Sequence, residues 1–240
     1  MHQRWAIRLA VEGDLRFLSH HDSIRALEYA ATRAGLPLRY SQGFNPHPIM
    51  ALVPPRPVGV ASRDDILVLS LEQPHEQAPG SDERRERCLR CDEDLLGALQ
   101  AAAPRGMRFL RAAPLAGKST PRPLKIQCQL YLGRQDLAAV TRRLEELAGM
   151  DRWIVSRMVT PGKAPSGSAM QARDVDIKPM VSDLRLEEDK LCWSAVPHGD
   201  AWARPGEVLK LLGLDQRVNL AAVERVAVEY DFALGQPEAS

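Results

Sequence analysis

At 240 residues the chain suits one large domain or two small ones, with ample length for a buried core. Hydrophobic residues make up 45%, and 32 Lys and Arg stand against 31 Asp and Glu, so no global basic excess announces nucleic acid and any anion-binding patch must be local. No run approaches the ~20 apolar residues of a membrane span, the start Met1-His2-Gln3-Arg4-Trp5 lacks the order of a signal peptide, and four cysteines do not make a disulfide scaffold, which together lead to the expectation of a cytoplasmic location.

Residues 6–11 alternate well enough for a first strand, Gly13-Asp14 is a turn signal, and residues 15–18 read as a short extension. Ser19 is a good helix N-cap, and Asp22 suits the positive first turn. Ile24, Leu27, Ala31 and Ala34 form a helical stripe that Gly35 closes and Pro37 stops. Residues 38–41 are strand-like, residues 42–48 form an irregular loop rich in Gly, Pro and Asn, and residues 49–53 resume an extended segment. After the rigid turn of residues 54–60, residues 65–72 are apolar almost throughout and predict a central strand.

Residues 73–87 are polar and read as an exposed insertion, followed by a helix over 89–103 that Pro104 stops and a strand over 107–113. A linker at 116–123 precedes a similar pattern: strand 124–132, helix 134–147, strand 153–159, a flexible loop at 161–168, strands 175–186 and 190–196, a short helix 205–212 and a final strand 222–232. The order β-α-β-β-α-β followed by something close to a second copy predicts an α+β protein of two tandem ferredoxin-like halves with antiparallel sheets, residues 1–115 and 122–235. The repeat lies in element order, not in sequence identity.

The polar groups that can do chemistry crowd into two stretches, Phe17-Leu18-Ser19-His20-His21-Asp22 and Tyr40-Ser41-Gln42-Gly43-Phe44-Asn45-Pro46-His47-Pro48. A histidine at a helix N-terminus has its pKa lowered by the dipole, so His20 is a candidate general base or phosphate contact, with Ser19 and Asp22 beside it. The plainer reading makes these capping residues, and His21 an exposed helix-start residue. Tyr40 and His47 are candidate acid–base groups, Ser41 and Asn45 candidate binding groups, Gly43 a position for close approach or positive φ, and Phe44 a platform for a nucleobase. Alternatively Phe44 plugs the core and the prolines stiffen a structural loop.

Cys88-Leu89-Arg90-Cys91 is a single C-x-x-C, half of a zinc site, with His75 the nearest further donor; no metal or other cofactor is expected. Gly117-Lys118-Ser119 ends like a phosphate-binding loop, but Ala112 stands where the first glycine belongs and Pro121 and Pro123 follow where a helix must start. Arg204, just before the helix at 205, can hold a phosphate or carboxylate, or it is a surface arginine paired with Glu207 or Asp200.

The two N-terminal stretches, together with Ala34-Gly35-Leu36-Pro37, Pro57-Val58-Gly59-Val60, Asp176-Ile177-Lys178-Pro179 and Ala203-Arg204-Pro205-Gly206-Glu207-Val208, resemble the radical SAM-linked domain family over about residues 4–233. That is a bacterial domain of unknown function, often fused to or encoded beside a cobalamin-binding-type radical SAM protein. His21 departs from the apolar residue expected there, and residues 73–91 have no family counterpart. The chain carries no C-x-x-x-C-x-x-C, so the resemblance implies that radical SAM chemistry belongs to a partner. Family members often lie near genes for ribonuclease E/G-type and ribosomal proteins, which implies RNA or the ribosome. The expectation is a binding module that presents an RNA or ribosome-linked substrate to a radical SAM enzyme. The alternatives are a metal-independent RNA endonuclease with His20 as general base, and a protein–protein scaffold.

Overall fold

The computed structural model describes residues 2–72, 92–159 and 170–232. The Cys88/Cys91 pair, His75 and the expected loop at 161–168 lie outside the described residues. The chain is an α+β protein built on antiparallel strand pairing, and it divides into two compact units, Met1–Leu124 with Arg225–Ser240, and Lys125–Glu224.

In the first unit, β1 (His2–Val11), α1 (His20–Arg33), β2 (Met50–Val53), β3 (Ala61–Glu72), α2 (Asp92–Ala102) and β4 (Met107–Pro114) follow in order. β10 (Glu224–Tyr230) returns from the end of the chain, and the strand order is β4-β1-β3-β10 with β2 also on β3. β1 runs antiparallel to both β3 and β4, and β2 antiparallel to β3. Period-two alternation sorts the two faces: Trp5, Ile7, Leu9, Leu67, Leu69 and Leu71 meet Leu27 and Ala31 of α1 and Leu95 and Leu99 of α2 in one core. Ala6, Ile66 and Val68 belong to a smaller cluster with Leu115.

α1 starts where the sequence signals it. Ser19 Oγ accepts the Asp22 backbone N–H at 3.2 Å and donates to Asp22 Oδ2 at 2.7 Å. It ends in a Schellman motif: Gly35, at φ 72°, donates to Thr32 and Leu36 to Ala31. The expected extension at 15–18 is instead a 3-10 turn over Gly13–Phe17, and residues 38–41 contribute isolated bridges, Leu38 to Leu71 and Tyr40 to Pro48, not a strand.

In the second unit, β5 (Pro123–Tyr131), α3 (Arg134–Ala148), β6 (Ile154–Val159), β7 (Gln171–Asp176), β8 (Val181–Glu187), β9 (Lys190–Ala195), α4 (Pro205–Leu211) and α5 (Gln216–Asn219) follow. β5, β9 and β8 pair antiparallel in that order, while β6 and β7 form a sheet of their own. The segment expected as one strand over 175–186 is divided by a 3-10 turn at Lys178–Met180, anchored by Asp176, whose Oδ1 accepts the Trp153 and Lys178 backbone N–H groups. The six-element order of the first unit is therefore not simply repeated. The strand expected to close the second half also differs, since it is grouped with the first unit from Arg225 onward. The reason is polar: Arg225, Val228 and Tyr230 bond to residues of β2, β3 and the turn between them. No helix among the described residues is long and apolar enough to cross a membrane.

Candidate functional site

The 3-10 turn and the cap deliver His20 to the start of α1. Ser19 and Asp22 spend their side chains on each other and on the cap, which is the structural role their spacing allows. His20 is half-buried, its Nδ1 is enclosed without a hydrogen-bond partner, and its ring meets His21 edge-on at 6.2 Å. Burial first, then the neighbouring His21 and Arg56, hold its pKa below the ordinary value, against the opposing pull of Asp65. The ring is thus neutral near pH 7 and competent to accept a proton.

This depression has a stability consequence. The fold prefers the neutral ring, so the contribution is whole above the unfolded value of 6.5 and is lost as the pH falls through the folded one. Urea-unfolding free energies should therefore decline as the pH falls from about 7 to below 6.5, and His20→Gln should flatten that stretch. An unchanged slope in the variant would remove His20 as its source.

Beneath His20 lies a set of buried charges that sequence reasoning missed. Asp65 on β3 accepts from Ser62 Oγ at 2.7 Å and from Arg225 at 2.6 Å, and faces Arg56 Nε at 3.6 Å. Arg56 donates to the Arg16 and Val60 carbonyls at 2.9 and 2.8 Å, and Arg225 to those of Pro54 and Pro55 at 3.2 and 3.1 Å. The adjacent Asp64 pairs with Arg8 and accepts the Val228 N–H at 2.8 Å. Burial pushes Asp64 upward, outweighing both of those partners, and burial likewise raises the Tyr230 hydroxyl, which donates to the Val53 carbonyl. The visible signal was two aspartates opening an otherwise apolar strand, a pattern that asks for buried cations.

The 40–48 loop is closed at its base. Ser41 N–H donates to the His47 carbonyl at 2.8 Å, His47 N–H to Ser41 Oγ at 3.1 Å, and Ser41 Oγ shares a further bond with His47 Nδ1 at 3.1 Å. The Asn45 carbonyl lies 3.4 Å from the same nitrogen. Arg39 N–H to Ser70 and Ser70 N–H to Ile49 tie the base to β3. Ser41 and His47 are thus fasteners. Gly43 takes φ 150°, a conformation closed to most side chains, and next to it Phe44 is wholly exposed while Tyr40 is 43% exposed. The core-plug reading of Phe44 is excluded, since it touches no core.

Arg204 lies in the second unit, exposed, at the N-cap of α4. The position where an anion was expected holds this chain's own carboxylate: Glu207 Oε2 accepts the Arg204 N–H at 2.9 Å. Glu207 in turn accepts from Nε and Nη2 of Arg157, at 2.6 and 2.7 Å. Among the described residues, no group of three or more His, Cys, Asp or Glu is arranged to hold a metal.

Residues 4–205 match a family described as an uncharacterized protein conserved in bacteria, DUF2344. The chain belongs to that family. No curated protein matches it. Among solved structures, one titled an unknown protein from Galdieria sulphuraria is similar over 82% of this chain and 84% of that one, at 12% identity and a TM-score of 0.24. Within the family match fall His20, the 40–48 loop and the Arg56–Asp65 pair, while Arg225 lies beyond it.

Proposed function

We propose that the chain is a non-catalytic binding module whose 40–48 loop holds single-stranded RNA, or a ribosome-linked RNA segment, for a radical SAM modifying enzyme. The observation that carries this reading is Phe44, wholly exposed at the tip of a loop pinned by Ser41 and His47. An exposed aromatic face is free to stack, and every base has a face to stack on. Tyr40 at the base of the same loop supplies a second half-exposed ring. The strand order β4-β1-β3-β2, with two helices on one face, supports a ferredoxin-like reading of the first unit, a fold whose sheets serve RNA recognition. The radical SAM partner follows from the sequence resemblance.

A second reading, a metal-independent RNA endonuclease, draws on His20, neutral and half-exposed over Asp65. Binding and cleavage of a fluorescent single-stranded RNA separate the two. Phe44→Ala should weaken binding about 5- to 150-fold, the worth of about 1–3 kcal/mol for one stacked base, with Tm unchanged. His20→Ala should leave affinity intact if the module only binds, and abolish turnover if it cuts. No binding by the native chain would leave a protein–protein scaffold.

A further inference from the structure

The 40–48 loop lacks the usual chemistry of a phosphate contact. Tyr40-Ser41-Gln42-Gly43-Phe44-Asn45-Pro46-His47-Pro48 includes no Lys, Arg, Asp or Glu. The cation nearest in sequence, Arg39, lies at the base, where the chain bonds to β3, and not at the tip. A surface without fixed charge gains nothing from releasing the counterions of a phosphate backbone, the source of most sequence-independent affinity. What such a loop holds of a nucleic acid, it holds by the base.

The polar side chains of the loop divide into two sets. Ser41 and His47 bond to each other and close the neck. The side-chain amides of Gln42 and Asn45 are exposed and make no hydrogen bond among the described residues. They flank the exposed ring of Phe44, Asn45 directly after it and Gln42 across Gly43, whose φ of 150° lets the chain bend between them. Pro46 biases the Asn45 backbone toward an extended conformation, and the Asn45 carbonyl lies 3.4 Å from His47 Nδ1.

An amide sets an acceptor beside a donor. Adenine matches that pattern on both of its open edges, N6–H beside N7 and N6–H beside N1, and the other three bases match it on one edge at most. The N7 edge of guanine offers two acceptors and takes Arg or Lys, which the loop lacks. A purine also covers more of an aromatic ring than a pyrimidine does. We infer that the loop selects an unpaired adenine, stacked on Phe44 and bonded at its edge by the amides of Gln42 and Asn45. The inference rests on the reading of Phe44 as a stacking platform and adds which base that platform takes.

The test is fluorescence anisotropy of the full chain with labelled uridine oligomers that carry one central A, G, C or U. The adenine centre should bind about fivefold tighter than the uridine centre, the lower end of what one bidentate amide contact discriminates. That ratio should hold between about 50 and about 200 mM salt even where absolute affinities fall, since no ion pair contributes to it. Gln42→Ala combined with Asn45→Ala should abolish the preference and leave the uridine oligomer bound, while Phe44→Ala should weaken every oligomer. Equal affinity for all four centres, a guanine centre ahead of adenine, or a preference kept whole in the double variant overturns the inference and leaves Phe44 as an unselective platform. The first two of these comparisons need no variant to fold. No binding of any oligomer, or binding indifferent to Phe44→Ala, sinks the RNA reading itself and the inference with it.

Discussion

Asp65→Ala should lower the free energy of unfolding by about 3–5 kcal/mol, the cost of stripping one partner from a buried ion pair. The carboxylate is inaccessible, and two guanidinium groups with side chains 2% and 4% exposed lean on it. Both arginines keep bonds to carbonyl groups, so neither loses every partner, but no carbonyl carries the compensating charge. Total stabilities of about 5–15 kcal/mol leave little margin after such a loss, and the variant should melt far below the native protein or fail to accumulate. Asp65→Asn keeps the volume and an acceptor for Ser62, and should fall between the two. Urea unfolding with fluorescence from the tryptophans measures all three. A loss under about 1 kcal/mol for the alanine variant would mean that the arginines are solvated and that the cluster is not a structural centre.

That cluster also shows where sequence reading stops. Local rules reached the cap at Ser19, the Gly35 stop, the 65–72 part of β3 and the irregular loop at 42–48, because each is decided within a few residues by hydrogen-bond and dihedral preferences. Asp65 and Arg225 are separated by 160 positions, and nothing in either neighbourhood names the other. The same separation hid the return of β10 to the first unit. The two-stranded β6–β7 sheet escaped because β7 is polar and exposed over its first four residues and so shows no apolar strand pattern, and the turn at Lys178–Met180 that follows it depends on the Asp176 side chain. At the loop, composition foretold an irregular segment, but which side chains hold it and which face outward is a matter of tertiary geometry: Ser41 and His47 close its base, Phe44 and Tyr40 are exposed.

Arg204 taught the same lesson at the second unit and leads to the other large effect. The sequence offered Glu207 as its surface partner, yet the side chain of Glu207 turns inward to Arg157, 50 positions away, and only the backbone of Arg204 reaches it. Glu207 thus does two jobs. It neutralises a mostly buried guanidinium, whose pKa is raised chiefly by that hydrogen bond, and it caps the first turn of α4 through the Arg204 N–H. Glu207→Ala removes both, leaving Arg157 with the Trp202 carbonyl as its remaining bond among those described. The expected loss is about 2–4 kcal/mol, somewhat below a fully enclosed pair because each side chain retains 11% exposure. Glu207→Gln should recover the cap but not the charge, and so regain a minor part. The double variant Glu207→Ala with Arg157→Met should be more stable than Glu207→Ala alone, since the stranded charge is gone and an apolar side chain fills its place. If the double variant is less stable instead, Arg157 contributes through the Trp202 carbonyl and its packing, and the ion pair is incidental.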